Sequence, residues 1–119
     1  MQFINIFSDI PESQRTYTLA GTLKDYFHFL ETLDIGIATM LDTPYNHCRS
    51  DIKFVEYASR GVVPVLSAIT PYVKHAVHGS NAFLFDDNDK LKTILEDLIQ
   101  DKAQRQKVSR NAYEYIKSH

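Results

Sequence analysis

A chain of 119 residues fits one small domain with a modest core, and 44% hydrophobic with 24% charged residues describes a globular, soluble chain. The formal net charge is −2 and the ionised residues are spread evenly, so no basic block argues for nucleic acid and no acidic tail for a solvating arm. The single Cys48 cannot form an internal disulfide, which suits a reducing, cytoplasmic setting. The N-terminus lacks the positive flank and long apolar run of a signal peptide. No apolar run is long enough to span a bilayer, so only peripheral attachment to a membrane is left open.

Residues 2–7 alternate and are rich in aromatic and β-branched types, which predicts a strand. A polar turn segment with Pro11 follows, and residues 15–20 read as a second strand stopped by Gly21. Leu23, Tyr26, Phe27, Leu30 and Leu33 recur at helical spacing, predicting a helix over 23–33. The apolar run 35–41 suits a strand buried on both faces, and residues 41–48 form the loop after its carboxyl end. A helix over 51–60 comes next, with Ser50 as its N-cap and Gly61 as its C-terminal cap.

Residues 62–67 are another buried strand, and 71–77 one or two helical turns. His78–Asn81 is a turn before a strand over 82–85. Asn88 is the expected N-cap of a helix whose apolar stripe is Leu91, Ile94, Leu95, Leu98 and Ile99. A last helix over 103–117 buries Val108, Ala112, Tyr115 and Ile116. Strands alternating with helices imply an α/β fold: an open parallel sheet of about five short strands with helices on both faces. Ligands in such sheets sit outside the carboxyl ends of the strands, which points to residues 41–50 and 68–72.

Lys53 poses a question. It stands in the first turn of its helix, where a positive charge costs about 0.3–1 kcal/mol against the helix dipole. An anion bound by the first-turn amides would turn that liability into a ligand, and Arg49 just before the cap adds charge. Arg49, Lys53, Glu56 and Arg60 form one charged stripe. The plain alternative is a solvated face on which Lys53 and Glu56 simply pair. His75 and His78 are three apart, but two ligands without a suitably spaced third make no zinc site. Cys48 reads as a spectator thiol, and Asp42 and Asp86–Asp89 as loop and cap residues.

The segment DIGIATMLDTPYNHCRSDIKFVEYASRGVVPVLSAITPY resembles the nucleotide-binding half of GT-B glycosyltransferases of the retaining, group 1 type. The order of pieces matches: apolar strand, loop, helix bearing a glutamate, and a Gly-Xaa-Pro-Val strand. SDIKFVEYASRGVVPV matches the variety with lysine three residues before that glutamate. HGSNAFLFDDNDKLKTILEDLI and DKAQRQKVSRNAYEYI match the closing segments. The resemblance implies a Rossmann-like domain, the incomplete C-terminal, donor-binding part of a glycosyltransferase, with an acceptor-binding domain and a Gly-rich first strand lying N-terminal to it.

Carried over residue by residue, the resemblance gives Glu56 the nucleotide ribose and puts Lys53 near the donor phosphates. Ser50, Asp51 and Ile52 supply the cradling amides, with Arg49 beside them. Gly21 and Thr22 stand where the base packs, and Ile69 and Thr70 near the sugar or diphosphate. The family's first glutamate falls on Cys48, and its Asn-Gly turn reads Asn81-Ala82. The implied donor is a nucleotide-diphosphate sugar, and no metal is expected because protein groups supply the positive charge. A sheet that lacks a central strand exposes edges, and a homodimer is one way to cover them. The alternative from another class is a non-catalytic module that binds a nucleotide or a protein.

Overall fold

The computed structural model describes residues 10–119. Three parallel strands, β1 (Ile35–Ala38), β2 (Val63–Ser67) and β3 (Phe83–Phe85), lie in the order β1-β2-β3. Six α-helices accompany them: α1 (Leu23–Leu30), α2 (Pro44–His47), α3 (Ile52–Ser59), α4 (Thr70–Val73), α5 (Asn88–Gln100) and α6 (Lys102–Ser118). Val63 stands opposite Ile35, and Val65 opposite Ile37 and Phe83.

The central strand β2 explains the layering. Its five residues are all buried, and successive side chains point to opposite faces. Leu66 joins Phe54, Tyr57 and Ala58 of α3 and Ala112 of α6 in one cluster. Val63 and Val65 join Leu98 of α5, Val108 of α6, Phe83 and Phe85 in another. Helices therefore cover both faces of the sheet. Gly36 admits α3 closely: a Cβ there would lie 2.8 Å from the Tyr57 ring. The Tyr57 hydroxyl donates to the Ile37 carbonyl at 3.1 Å, closing the same contact. Gly61 adopts φ +74 after α3, the left-handed conformation a glycine cap supplies.

Several expectations need correcting. The described residues hold three strands, not about five. Residues 2–7 lie outside the described residues. Residues 15–20 follow a short 3-10 turn, Glu12–Gln14, and form no strand. Tyr17 and Leu19 are exposed there, so β-propensity had no neighbouring strand among the described residues to satisfy it. The loop 41–48 contains α2, started by Thr43 and Pro44. Ser50 is not the cap of α3: Asp51 holds that position and the helix starts at Ile52. Asn88 is the first residue of α5, and Asp87 caps it by accepting from the Lys90 amide at 2.7 Å. Ile99 is exposed, so the α5 stripe is narrower than its sequence suggests.

Candidate functional site

α3 runs back along the sheet before β2, so its N-terminus lies at the carboxyl edge of the strands. That end is chemically open. The first turns of α1, α2, α5 and α6 are capped by Thr22, Thr43, Asp87 and Asp101, each accepting a backbone N–H. No side chain caps α3. Asp51 holds the N-cap position at φ −91 and ψ 28, outside the extended conformation from which a side chain reaches back to the first turn. Its carboxylate lies 3.9 Å from His75 Nε2 instead. Ser50 is exposed one residue outside the helix, and Ile52 is half exposed. Arg49 is exposed and has no partner among the described residues, although its charge reaches the buried Tyr72 of α4. Free amides and the helix dipole thus stand together at this end, with Arg49 three residues before the helix, an arrangement that can accept an anion.

Lys53 and Glu56 extend this end along α3. The Lys53 ammonium donates to the Tyr26 hydroxyl at 2.8 Å and lies 3.4 Å from Glu56 Oε2. It also sits 4.9 Å from the centre of the Tyr26 ring. Tyr26 in turn donates to Glu56 Oε2 at 2.5 Å. Burial works against the Lys53 charge, yet Tyr26 and Glu56 outweigh it and hold the pKa above the usual lysine value. Burial also raises the Tyr26 phenol, with help from the Glu56 carboxylate. Glu56 Oε1 takes no hydrogen bond from the described residues, so half of this nearly buried carboxylate can still accept. Arg60, the last of the predicted stripe, turns away to Glu31 at 3.0 Å and to the face of Phe27.

A second constellation joins the loops after β1 and β2. His47 places Nε2 2.5 Å from Asp42 Oδ1 and Nδ1 2.5 Å from Thr70 Oγ1. Ser67, buried at the end of β2, accepts the Met40 amide at 2.8 Å and ties the two loops at their roots. A cavity of about 410 Å³ opens beside them, lined by Met40, Asp42, Ile69, Phe85, Asp86 and Asp87 among others.

The remaining predicted positions divide. Thr22 forms a capping box with Asp25 at the start of α1, and Gly21 beside it is exposed. Ile69 is a core residue whose amide donates to the Ser67 carbonyl at 2.9 Å and whose carbonyl accepts the Tyr72 and Val73 amides, so it offers a ligand neither side chain nor free amide. His75 and His78 serve different partners, Tyr115 and the Leu84 amide. Sequence reasoning missed Tyr26, Asp42 and His47 as site members. Tyr26 fitted the apolar stripe of its helix, and only tertiary packing brings it to Glu56.

No protein-family model matches the chain, and no curated protein matches it. Among solved structures it is similar to the C-terminal domain of a glycosyl transferase group 1 family protein (LpcC) from Francisella tularensis. The TM-score is 0.70 at 15% identity, over 86% of this chain and 51% of that one. The chain thus has the fold of a group 1 glycosyltransferase C-terminal domain, and it spans about half the length of the chain it matches.

Proposed function

We propose that this chain is the donor-binding part of a glycosyltransferase and holds the diphosphate of a nucleotide sugar at the N-terminus of α3. The observation that carries the reading is the uncapped first turn of α3, three residues after Arg49, whose side chain has no hydrogen-bond or ion-pair partner among the described residues, at the carboxyl edge of the sheet. Negative charge grows on the departing diphosphate during sugar transfer. Fixed amides, a helix dipole and a cation stabilise that charge in the transition state without reorganising. Glu56 accepts the ribose hydroxyls on Oε1, with Tyr26 holding the carboxylate through Oε2. Lys53, partly exposed and held by two hydroxyl and carboxylate contacts, swings from Tyr26 to a phosphate oxygen when the donor arrives.

Gly21 and Thr22 pack the base, and Thr70, whose amide has no acceptor among the described residues while that of Ile69 is taken by Ser67, faces the sugar end. The fold of the solved neighbour and the motif order in the sequence support this assignment. Such a donor is made in the cytoplasm, where a free, exposed Cys48 is also at home. No helix among the described residues is long and apolar enough to cross a membrane.

A second reading is a non-catalytic nucleotide-binding or protein-interaction module. The engagement of Lys53 by Glu56 and Tyr26, rather than an open lysine at the helix start, favours it. Calorimetric titration with UDP, GDP and their sugar conjugates tests the donor site. Saturable binding weakened about tenfold or more by Arg49→Ala and by Glu56→Ala is expected, from loss of a charge-assisted contact. Binding indifferent to both variants would remove the assignment. Binding without sugar transfer or donor hydrolysis by the full-length protein would favour the second reading.

A further inference from the structure

We infer that residues 77–81 are a guard built into the fold: the His78 ring and the Gly79 amide close the outer edge of β3 and keep it from pairing with the β3 of a second copy. The inference does not rest on the donor-site reading. β3 ends the sheet order β1-β2-β3, and a cavity of about 490 Å³ lies along it, lined by His78, Phe83, Leu84, Thr93 and Ile94 among others. No strand of the described residues covers this side. A strand edge left in that state is a template for another chain.

The outward groups can be counted. Alternate residues of a parallel strand turn their N–H and C=O groups to opposite sides. The Ala68 N–H donates to the Phe85 carbonyl at 2.8 Å, so Phe83 and Phe85 face β2 with their backbone groups. Ala82 and Leu84 therefore face outward. Both are already engaged. The Gly79 N–H donates to the Ala82 carbonyl at 2.8 Å, and the Leu84 N–H donates to His78 Nδ1 at 3.0 Å. Gly79 N–H and His78 Nδ1 thus stand where one residue of a further parallel strand would place its N–H and C=O. A second β3 crossing antiparallel at Phe83 needs the same two groups, because each copy's Leu84 N–H would meet the other's Ala82 carbonyl.

The turn holds the ring in place. Gly79 has φ +81, the left-handed conformation that brings the chain back along β3. The Val77 carbonyl accepts the Ser80 and Asn81 amides at 3.0 and 3.2 Å. Asn81 is buried, and its side chain accepts the Val77 amide at 2.7 Å and donates to the His75 carbonyl at 3.4 Å. Asn111 of α6 donates to the Ser80 carbonyl at 3.0 Å, fastening the turn to the last helix. The His78 ring itself stands edge-on to Phe83, with centroids 5.5 Å apart.

The test is self-association by sedimentation velocity, from micromolar to millimolar chain. It compares the intact chain, His78→Asn, and His78→Ala combined with Gly79→Pro. Alanine removes the acceptor at Leu84, and proline removes the donor at Ala82 and cannot take the left-handed turn. The double variant should associate about tenfold more strongly than the intact chain, as regained hydrogen bonds give. His78→Asn should match the intact chain, because its Oδ1 can take the place of Nδ1 as acceptor. A double variant that keeps the amide spectrum of the fold and associates no more than the intact chain overturns the inference. Hydrogen exchange at the Leu84 amide reads the guard in the single variants, independently of how the double variant folds. Exchange should be about tenfold faster in His78→Ala than in the intact chain and unchanged in His78→Asn. Equal rates in all three overturn the inference as well.

Discussion

Tyr26 shows how a residue can belong to the core and to a site at once. Its ring packs against the cluster under α3, and its hydroxyl sits between Lys53 and Glu56. Tyr26→Phe keeps the packing and removes the bridge, and urea unfolding should register a loss of about 0.5–1.5 kcal/mol. The pH dependence has a definite sign. Lys53 and Tyr26 both have folded-state pKa values raised above their unfolded ones. Their contribution is full below about pH 10 and is lost as pH rises through the folded values. The stability advantage of the intact chain over Tyr26→Phe should stay constant from neutral pH to about pH 9 and shrink above about pH 10. An advantage that grew instead above about pH 10 would contradict this account. Lys53 and Glu56 were legible as a pair from their spacing of three. Tyr26 was not, because contacts across 27 and 30 positions leave no periodic trace.

Helix ends carry the contrast on which the site depends. α1, α5 and α6 each begin with a residue whose side chain fastens the first turn, and α3 does not. Thr22→Ala, Asp87→Ala and Asp101→Ala should each cost about 1 kcal/mol in urea unfolding. Asp51→Ala should cost less than about 0.5 kcal/mol, because no cap is lost. Gly61→Ala meets no atom within 4 Å, so its expected cost of about 1 kcal/mol is the left-handed backbone alone. Apart from α2, which lies in a stretch read as a loop, the helices were readable from apolar spacing and Gly61. The starts were readable only to within a residue. Ser50 and Asp51 are both good cap types, as are Asp87 and Asn88, and backbone angles at the turn decide between such neighbours.

At the scale of the molecule, the sheet is held from two sides through β2. Phe54→Ala should cost about 3–5 kcal/mol, since the ring is fully buried between α3, β2 and α6. Gly36→Ala should also unfold the chain more easily, by about 1–3 kcal/mol, because the new methyl meets Tyr57. The buried strands 35–38 and 63–67 were legible because continuous apolar runs have few other uses. Residues 15–20 misled because an alternating pattern records propensity and not whether a neighbour exists. The location of the candidate site was argued from topology, since both candidate loops follow strands. What joins those loops, the Asp42–His47–Thr70 contact, depends on distances that only the folded chain sets. The central claim is that the open end of α3 holds a diphosphate. Backbone amide NMR during titration with UDP and GDP tests it most directly. The account predicts the largest shifts at Ile52, Lys53 and Phe54, with Arg49 close behind. Shifts centred elsewhere, or none in a folded chain at millimolar nucleotide, would contradict it.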